Sequence, residues 1–108
     1  MTRVTKEMAQ IRLSNVAEDK YFWCQDGKVL KSLQDLGLAL SKMDEATFGY
    51  HSNQTKNDFS KWVRDVIGDQ KLARDLEKSG NNVQAAKSVA NRIGWLQAKL
   101  STVRMTPM

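Results

Sequence analysis

Residues 57–76, NDFSKWVRDVIGDQKLARDL, decide the expected fold of this chain. Five apolar residues within this stretch recur with helical spacing and lie within about 140° of arc on one face of a helix. They are Phe59, Trp62, Val63, Val66 and Ile67. Thr55 or Asn57 can cap this helix at its start, while Gly68 followed by Asp69 is typical of a helix end and a new N-cap. The stretch therefore predicts an amphipathic helix followed, at an angle, by a second and shorter helix.

Upstream of this stretch, the sequence contains the signals of a hairpin and of two more helices. Asp26-Gly27 separates two short apolar runs, residues 21–24 and residues 29–30, and a glycine at such a turn supplies a positive φ. Ser32 then opens a capping box, which starts one helix, and Asp44 can cap a short second one. A two-stranded hairpin is marginal in isolation, so we expect helices to pack on it.

Downstream, Asn81 and Gln84 can open the last and longest helix, of about five to six turns. Its apolar stripe would consist of Ala86, Val89, Ile93, Leu96 and Leu100. The predicted fold is mainly α: a compact bundle of four to five helices with a short N-terminal β-hairpin and a long basic C-terminal helix. We expect residues 17–101 to form a single helical domain, residues 1–16 an arm or short helix, and residues 102–108 a flexible tail.

The composition favours an intracellular globular protein. The chain has 108 residues, of which 41% are hydrophobic and 27% charged, and this is too apolar for a disordered chain. Its only cysteine, Cys24, cannot form an internal disulfide and fits a reducing compartment. The longest apolar run is far shorter than the roughly 20 residues of a membrane helix, and the N-terminus lacks the apolar core of a signal peptide. We therefore expect a cytoplasmic protein that has no membrane partner.

The positive charge is concentrated at the two ends of the sequence. The formal net charge is +5, yet residues 13–77 are close to neutral. Residues 78–108 contain five basic residues and no acidic one, and the first twelve residues contain Arg3, Lys6 and Arg12 against a single glutamate. Basic ends of this kind point to an acidic partner such as nucleic acid.

Residues 51–73 carry a set of spaced motifs: His51, Lys56-Asn57-Asp58-Phe59, Trp62-Val63, Asp65-Val66, Gly68-Asp69 and Leu72-Ala73. Together with Phe22, Asp26-Gly27, Ser32-Leu33 and Tyr50, the pattern resembles a family of small, uncharacterised prokaryotic domains, mainly archaeal, of unknown function. The resemblance covers Phe22 to about Leu100 and leaves the basic ends outside. It implies a compact helical fold with a small hairpin. It implies no activity and no catalytic residue.

No constellation of residues points to an enzyme. His51, the single histidine, has only Cys24 as a second soft metal ligand, whereas a zinc site needs three or four; we interpret it as a loop or capping residue. Asp65 and Asp69 are four residues apart, but Gly68 breaks the helix between them and no basic partner fixes the pair. Phosphate-binding loops, nucleophile elbows and Cys/His metal spacings are missing. We therefore expect no catalysis, no cofactor, no metal and no small-molecule substrate.

The three tryptophans have different surroundings in the sequence. Trp62 lies in the middle of its apolar stripe and Trp23 lies in the hairpin, and we predict both to be in the core. Trp95 lies about 140° from the apolar stripe of the last helix, within about 60° of Arg92 and Lys99. Bases stack on tryptophan while Arg and Lys contact phosphates, so this group favours a nucleic-acid contact. The alternative is that the N-terminal arm or the hairpin covers Trp95 and that the cations form a solvated face.

The leading hypothesis is a non-enzymatic nucleic-acid-associated protein that binds DNA or ribosomal RNA through the last helix and the basic ends. The predicted contacts on the helix and tail are Lys87, Arg92, Trp95, Lys99 and Arg104, with a second, more mobile set of Arg3, Lys6 and Arg12. The alternative is a protein–protein interaction or assembly module, in which the same helix and Trp95 dock on another protein or on a second copy to give a homodimer.

Overall fold

The computed structural model describes residues 4–101, which form a helical bundle with one small hairpin. The elements in chain order are α1 (Lys6–Leu13), β1 (Phe22–Trp23), β2 (Val29–Leu30), α2 (Leu33–Lys42), α3 (Glu45–His51), α4 (Asp58–Trp62), α5 (Gln70–Glu77) and α6 (Asn82–Ser101). A 3₁₀ turn, Glu18–Lys20, precedes β1. The prediction of a mainly α fold with a hairpin and a long last helix is confirmed. The bundle has one helix more than the four to five predicted, because residues 6–13 are also helical.

Each of the five helices from α2 to α6 starts where a short polar side chain takes up a free backbone N–H group. The side-chain oxygens of Ser32, Asp44, Asn57, Asp69 and Asn81 accept from the N–H three residues later, at 2.8–3.2 Å. Two of these starts are reinforced from the other side, since the Asp35 carboxylate accepts from the Lys31 N–H and the Gln84 side chain accepts from the Gly80 N–H. The predicted starts are therefore confirmed, with Asn57 rather than Thr55 capping α4.

The hairpin turns at Asp26-Gly27, as predicted, and packs one of its faces into the core. Gly27 has a φ of 95°, and the Cys24 N–H donates to the Lys28 carbonyl at 2.9 Å, which is a three-residue turn closed by a glycine bulge. Phe22 pairs with Leu30, and both point into the core. Trp23 pairs with Val29 on the other face and is 71% exposed, because no helix among residues 4–101 covers its ring. The prediction that Trp23 belongs to the core is wrong.

The helix predicted after Asn57 changes its geometry before it ends. After α4, residues Val63–Ile67 form a π turn, in which the N–H groups of both Gly68 and Asp69 donate to the Val63 carbonyl, at 2.8 and 3.1 Å. Gly68 then adopts a left-handed conformation with a φ of 87°. This wider turn swings the chain away from α4 and brings Asp69, the N-cap of α5, under the last helix. Such π turns are frequent next to functional sites.

The core is built around α6, which packs along α2 and also contacts α1 and α5. Val89 and Leu96 are fully buried as predicted, while Ala85 takes the buried position expected for Ala86, and Ile93 and Leu100 are partly buried. Trp62 is buried, as predicted, and its indole N–H donates to the Lys20 carbonyl at 2.8 Å. Among residues 4–101, no helix is long and apolar enough to cross a membrane.

Candidate nucleic-acid interface

The Asp69 carboxylate is the centre of a buried ion-pair cluster. Its side chain is fully buried, and Arg92 donates to both of its oxygens, from Nε at 2.7 Å and from Nη2 at 3.1 Å. A second guanidinium, that of Arg12, lies 3.7 Å from the same carboxylate. The expectation that no basic partner fixes the pair of Asp65 and Asp69 is wrong for Asp69, because its two partners come from α1 and α6, far away in the sequence.

This cluster connects three helices through one side chain. Asp69 also caps α5, since its Oδ1 accepts from the Leu72 N–H at 3.0 Å. Arg92 fixes the carboxylate from α6 and Arg12 approaches it from α1. A carboxylate removed from water is stable only when paired and hydrogen-bonded, and here its acceptor positions are filled by charged and backbone donors.

A groove of about 840 Å³ opens above this cluster, between α1, the start of α5 and the second half of α6. Its lining consists of Val4, Arg12, Gly68, Asp69, Gln70, Lys71, Arg74, Arg92, Trp95 and Lys99. Five of these residues are basic and one is acidic. Because the one carboxylate is already bound by Arg92, the groove presents a surplus of positive charge to an incoming ligand. We call this surface the basic groove.

Trp95 forms part of the wall of the basic groove and is 42% exposed. The Arg92 guanidinium carbon lies 4.3 Å from the ring centroid and the Lys99 ammonium 4.7 Å from it. Both distances are typical of cation–π contacts. Arg92 is held there by Asp69.

Two cations of the basic groove come from α5 and were missed in the sequence. Lys71 pairs with Asp75 one turn away, at 2.6 Å, with its side chain 58% exposed. Arg74 is exposed and makes no ion pair with any of residues 4–101. Their spacing of three residues on the polar face of a short helix was the available signal. It pointed to a shared face without indicating which other helix that face meets.

The structure brings together four of the eight predicted contacts. Arg12, Arg92, Trp95 and Lys99 line the basic groove. Lys6 is exposed on α1 and is not part of the groove lining, and Lys87 lines a separate depression of about 350 Å³ together with Lys78. Arg3 and Arg104 lie outside the described residues. The predicted cations of α6 therefore divide between two surfaces, because Lys87 lies on another side of the helix from Arg92.

A second buried polar cluster surrounds His51, between the hairpin and α4. His51 ends α3 and is buried, so the expected loop or capping role is wrong. Its Nε2 accepts from the Gln25 N–H at 2.9 Å, and its Nδ1 lies 2.9 Å from the Asp58 carboxylate. Since Nε2 is an acceptor, the ring carries its proton on Nδ1 and donates it to Asp58. The rings of Phe22 and Phe59 cover the imidazole, at centroid distances of 5.1 and 5.2 Å.

The ionisable groups near the hairpin have perturbed pKa values with clear causes. Partial burial acts to raise the pKa of Asp58, but hydrogen bonds from His51 and Lys56 and the charge of Lys56 outweigh it, so that this pKa lies below its ordinary value. Burial raises the pKa of the Cys24 thiol, which keeps it protonated and unreactive. Among residues 4–101, no group of three or more His, Cys, Asp or Glu side chains could hold a metal ion.

No family model, no curated protein and no solved structure matches this chain.

Proposed function

We propose that this is a non-enzymatic nucleic-acid-associated protein that binds its ligand in the basic groove. One observation carries this proposal: five basic side chains and a half-exposed tryptophan line one concavity, whose single carboxylate is buried and already paired. Cations that meet phosphates next to an aromatic ring that meets bases are the combination used for nucleic acid. The lone Cys24 supports a cytoplasmic location.

The basic residues of the groove have two different roles in this proposal. Arg12 and Arg92 are 13% and 10% exposed and face Asp69 at the bottom of the basic groove. They fix the geometry there and give the bottom of the groove a positive potential. Lys71, Arg74 and Lys99 line the same groove and supply the phosphate contacts, and for Lys71 a phosphate replaces the partly exposed Asp75 carboxylate. Arg92, predicted as a phosphate contact, thus becomes a positioning residue for Trp95.

Phosphate contacts have a measurable signature. Each neutralised phosphate releases counterions, so three contacts give a slope of log affinity against log salt of about −2.7 on a duplex and about −2.1 on a single strand. A groove, unlike a protruding recognition helix, does not enter the major groove of a duplex, and its aromatic wall favours unpaired bases. We therefore expect tighter binding to single-stranded than to double-stranded ligands.

The test is fluorescence anisotropy with a single-stranded DNA, the same sequence as RNA, and its duplex, at about 50 and 200 mM salt. The groove variant carries Lys71→Gln, Arg74→Gln and Lys99→Gln. A matched control variant carries Lys61→Gln, Lys78→Gln and Lys87→Gln, which removes the same charge from exposed positions elsewhere. We expect the wild type and the control variant to bind and the groove variant to lose most affinity. Equal losses of affinity in the two variants would mean that binding depends only on the net charge of the protein and not on the groove. No binding by the wild type would refute the proposal.

The alternative function, a protein interaction or homodimer through the same helix, is favoured by one observation. An aromatic ring stacked with an anchored arginine, as Trp95 is with Arg92, is the composition of an interface hot spot. Sedimentation would support this alternative if the mass of the protein rose with concentration and nucleic acid did not bind.

A further inference from the structure

The outer face of the hairpin is an apolar surface that lies outside the basic groove. Trp23, 71% exposed, stands directly opposite Val29 on this face. Two residues further along the hairpin, the Lys31 ammonium lies 5.5 Å from the centroid of the Tyr21 ring. Contiguous exposed apolar groups on a protein surface mark interaction sites.

A groove between β2 and α2 continues this face. It has a volume of about 580 Å³ and is lined by Asn15, Lys28, Val29, Leu30, Lys31, Asp35, Leu38, Ala39 and Lys42. Leu38 is 60% exposed although it sits in the middle of α2. The apolar centre of this groove is therefore open to a partner's side chain. We call it the strand groove.

The main chain of β2 has a free edge on the strand groove. Hydrogen-bonded and non-hydrogen-bonded pairs alternate in an antiparallel ladder, and the Cys24 N–H donates to the Lys28 carbonyl. The N–H and carbonyl of Val29 therefore point away from β1. At Lys31 the edge is already occupied, because its carbonyl accepts from the Val16 N–H and its own N–H donates to Asp35. Within residues 4–101, this edge remains open at Val29, which lines the strand groove together with Leu38.

The charges around the strand groove select the partner. Its rim carries Lys28, Lys31 and Lys42 against one acid, Asp35, whose carboxylate already accepts from the Lys31 N–H. The N-terminal and C-terminal segments of this chain are themselves basic, so they do not complement the rim. An acidic partner complements the positive charge of the rim.

We infer that the strand groove binds an acidic, extended peptide segment of another protein, which adds as a strand to β2. Its main chain pairs with Val29, an apolar side chain lies between Val29 and Leu38, and its carboxylates meet the lysine rim. Strand addition takes affinity from main-chain hydrogen bonds and specificity from alternate side chains. This site is independent of the proposed nucleic-acid function.

The probe is a pool of short fluorescent peptides in which Asp or Glu alternates with Val, Ile, Leu or Phe. Two control pools replace the acids by Lys, or keep the acids but carry N-methyl groups at alternate backbone positions. The wild type should bind the acidic pool at least about tenfold more tightly than either control pool. Leu38→Ser should remove this preference, and as a substitution of an exposed residue it should leave the circular dichroism spectrum unchanged.

Three results would overturn the inference. They are equal binding of the acidic and basic pools, binding that survives N-methylation, and binding that Leu38→Ser leaves intact. A concentration-dependent dimer lost in Leu38→Ser would assign the strand groove to a second copy instead. Nucleic-acid binding by Leu38→Ser should equal that of the wild type, so failure here is distinguishable from failure of the basic groove.

Discussion

The buried polar clusters around Asp69 and around His51 differ in the charge that they leave exposed at the surface. In the first, one carboxylate faces two guanidinium groups and three more cations line the groove above it. In the second, the Asp58 carboxylate is matched by Lys56 and by the imidazole N–H, and the rings of Phe22 and Phe59 pack on the imidazole. The Asp69 cluster has charge left over at a surface, whereas the His51 cluster is balanced.

This difference distinguishes a candidate binding site from a cluster that only stabilises the fold. Both clusters link distant elements, so burial and ion pairing alone would not distinguish them. An unbalanced cluster leaves a potential at the surface that an oppositely charged ligand can neutralise, whereas a balanced one leaves none. Substitutions in and around both clusters test that distinction.

The largest effect is expected for Asp69→Ala. It leaves Arg92 partly buried without a counter-charge and removes the cap of α5, so we expect a loss of about 3–5 kcal/mol in the free energy of unfolding. Urea unfolding followed by circular dichroism measures it. The control is Asn81→Ala, which removes the cap of α6 but leaves no buried charge unpaired. It should lower the free energy of unfolding by only about 1 kcal/mol. Similar losses in the two variants would mean that Asp69 is merely a cap.

A smaller loss of stability is expected for His51→Leu. The ring volume is largely kept, but the Gln25 N–H and the Asp58 carboxylate lose their partner, at a cost of about 1–3 kcal/mol. Nucleic-acid binding by the folded variant should not change, because His51 is not in the basic groove. In the wild type, nitrogen NMR should find the imidazole proton on Nδ1. A proton on Nε2, or impaired nucleic-acid binding by His51→Leu, would break the comparison between the clusters.

Gly94→Ala should stabilise the helix that supplies Arg92 to the Asp69 cluster. Gly94 is exposed in α6, and a Cβ there would meet no heavy atom within 4 Å, so we expect a gain of about 0.5–1 kcal/mol. Gly37→Ala is the contrast, because its Cβ would lie 3.3 Å from Val89 Cγ1 across the α2–α6 contact and crowding offsets the gain. Thermal unfolding of both variants provides the measurement. A gain from Gly37→Ala as large as that from Gly94→Ala would contradict the close packing of α2 on α6.

The smallest effect is confined to acid pH and concerns Asp58. Because its pKa is lower in the folded protein than in the unfolded chain, the charged carboxylate stabilises the fold above its ordinary pKa of 3.8. This contribution disappears as the pH falls through the lower folded-state pKa. Asp58→Asn should therefore be less stable than the wild type at pH 6, with the difference shrinking below about pH 4. A difference that did not depend on pH would show that the charge of Asp58 is unimportant.

The sequence predicts the local parts of the fold and misses the long-range parts of the site. The caps at Ser32, Asp44 and Asp69 were predictable because each hydrogen bond closes within three residues. Trp23 was misplaced because strand alternation does not say whether a second layer covers a two-stranded sheet. The partners of Asp69 were missed because Arg92 is 23 residues away, and their meeting depends on the angle that the π turn sets.

The surface of α6 is another case in which the sequence predicts the local arrangement and misses a contribution from a distant helix. Helical periodicity correctly placed Trp95 on the same side as Arg92 and Lys99 and away from the core. It could not show that α5 adds Lys71 and Arg74 to this side. Whether the basic groove binds nucleic acid stays a prediction from charge and shape.

The most direct test is an NMR titration of the protein with single-stranded DNA, followed through the indole N–H signals of its three tryptophans. Only Trp95 lies in the basic groove; Trp23 lies on the hairpin, and the indole N–H of Trp62 is bound to the Lys20 carbonyl in the core. We predict that the Trp95 indole signal and the backbone signals of Lys71 and Arg74 shift, while the other two indole signals stay in place. Shifts centred on Trp23, or no shifts at all, would contradict binding in the basic groove.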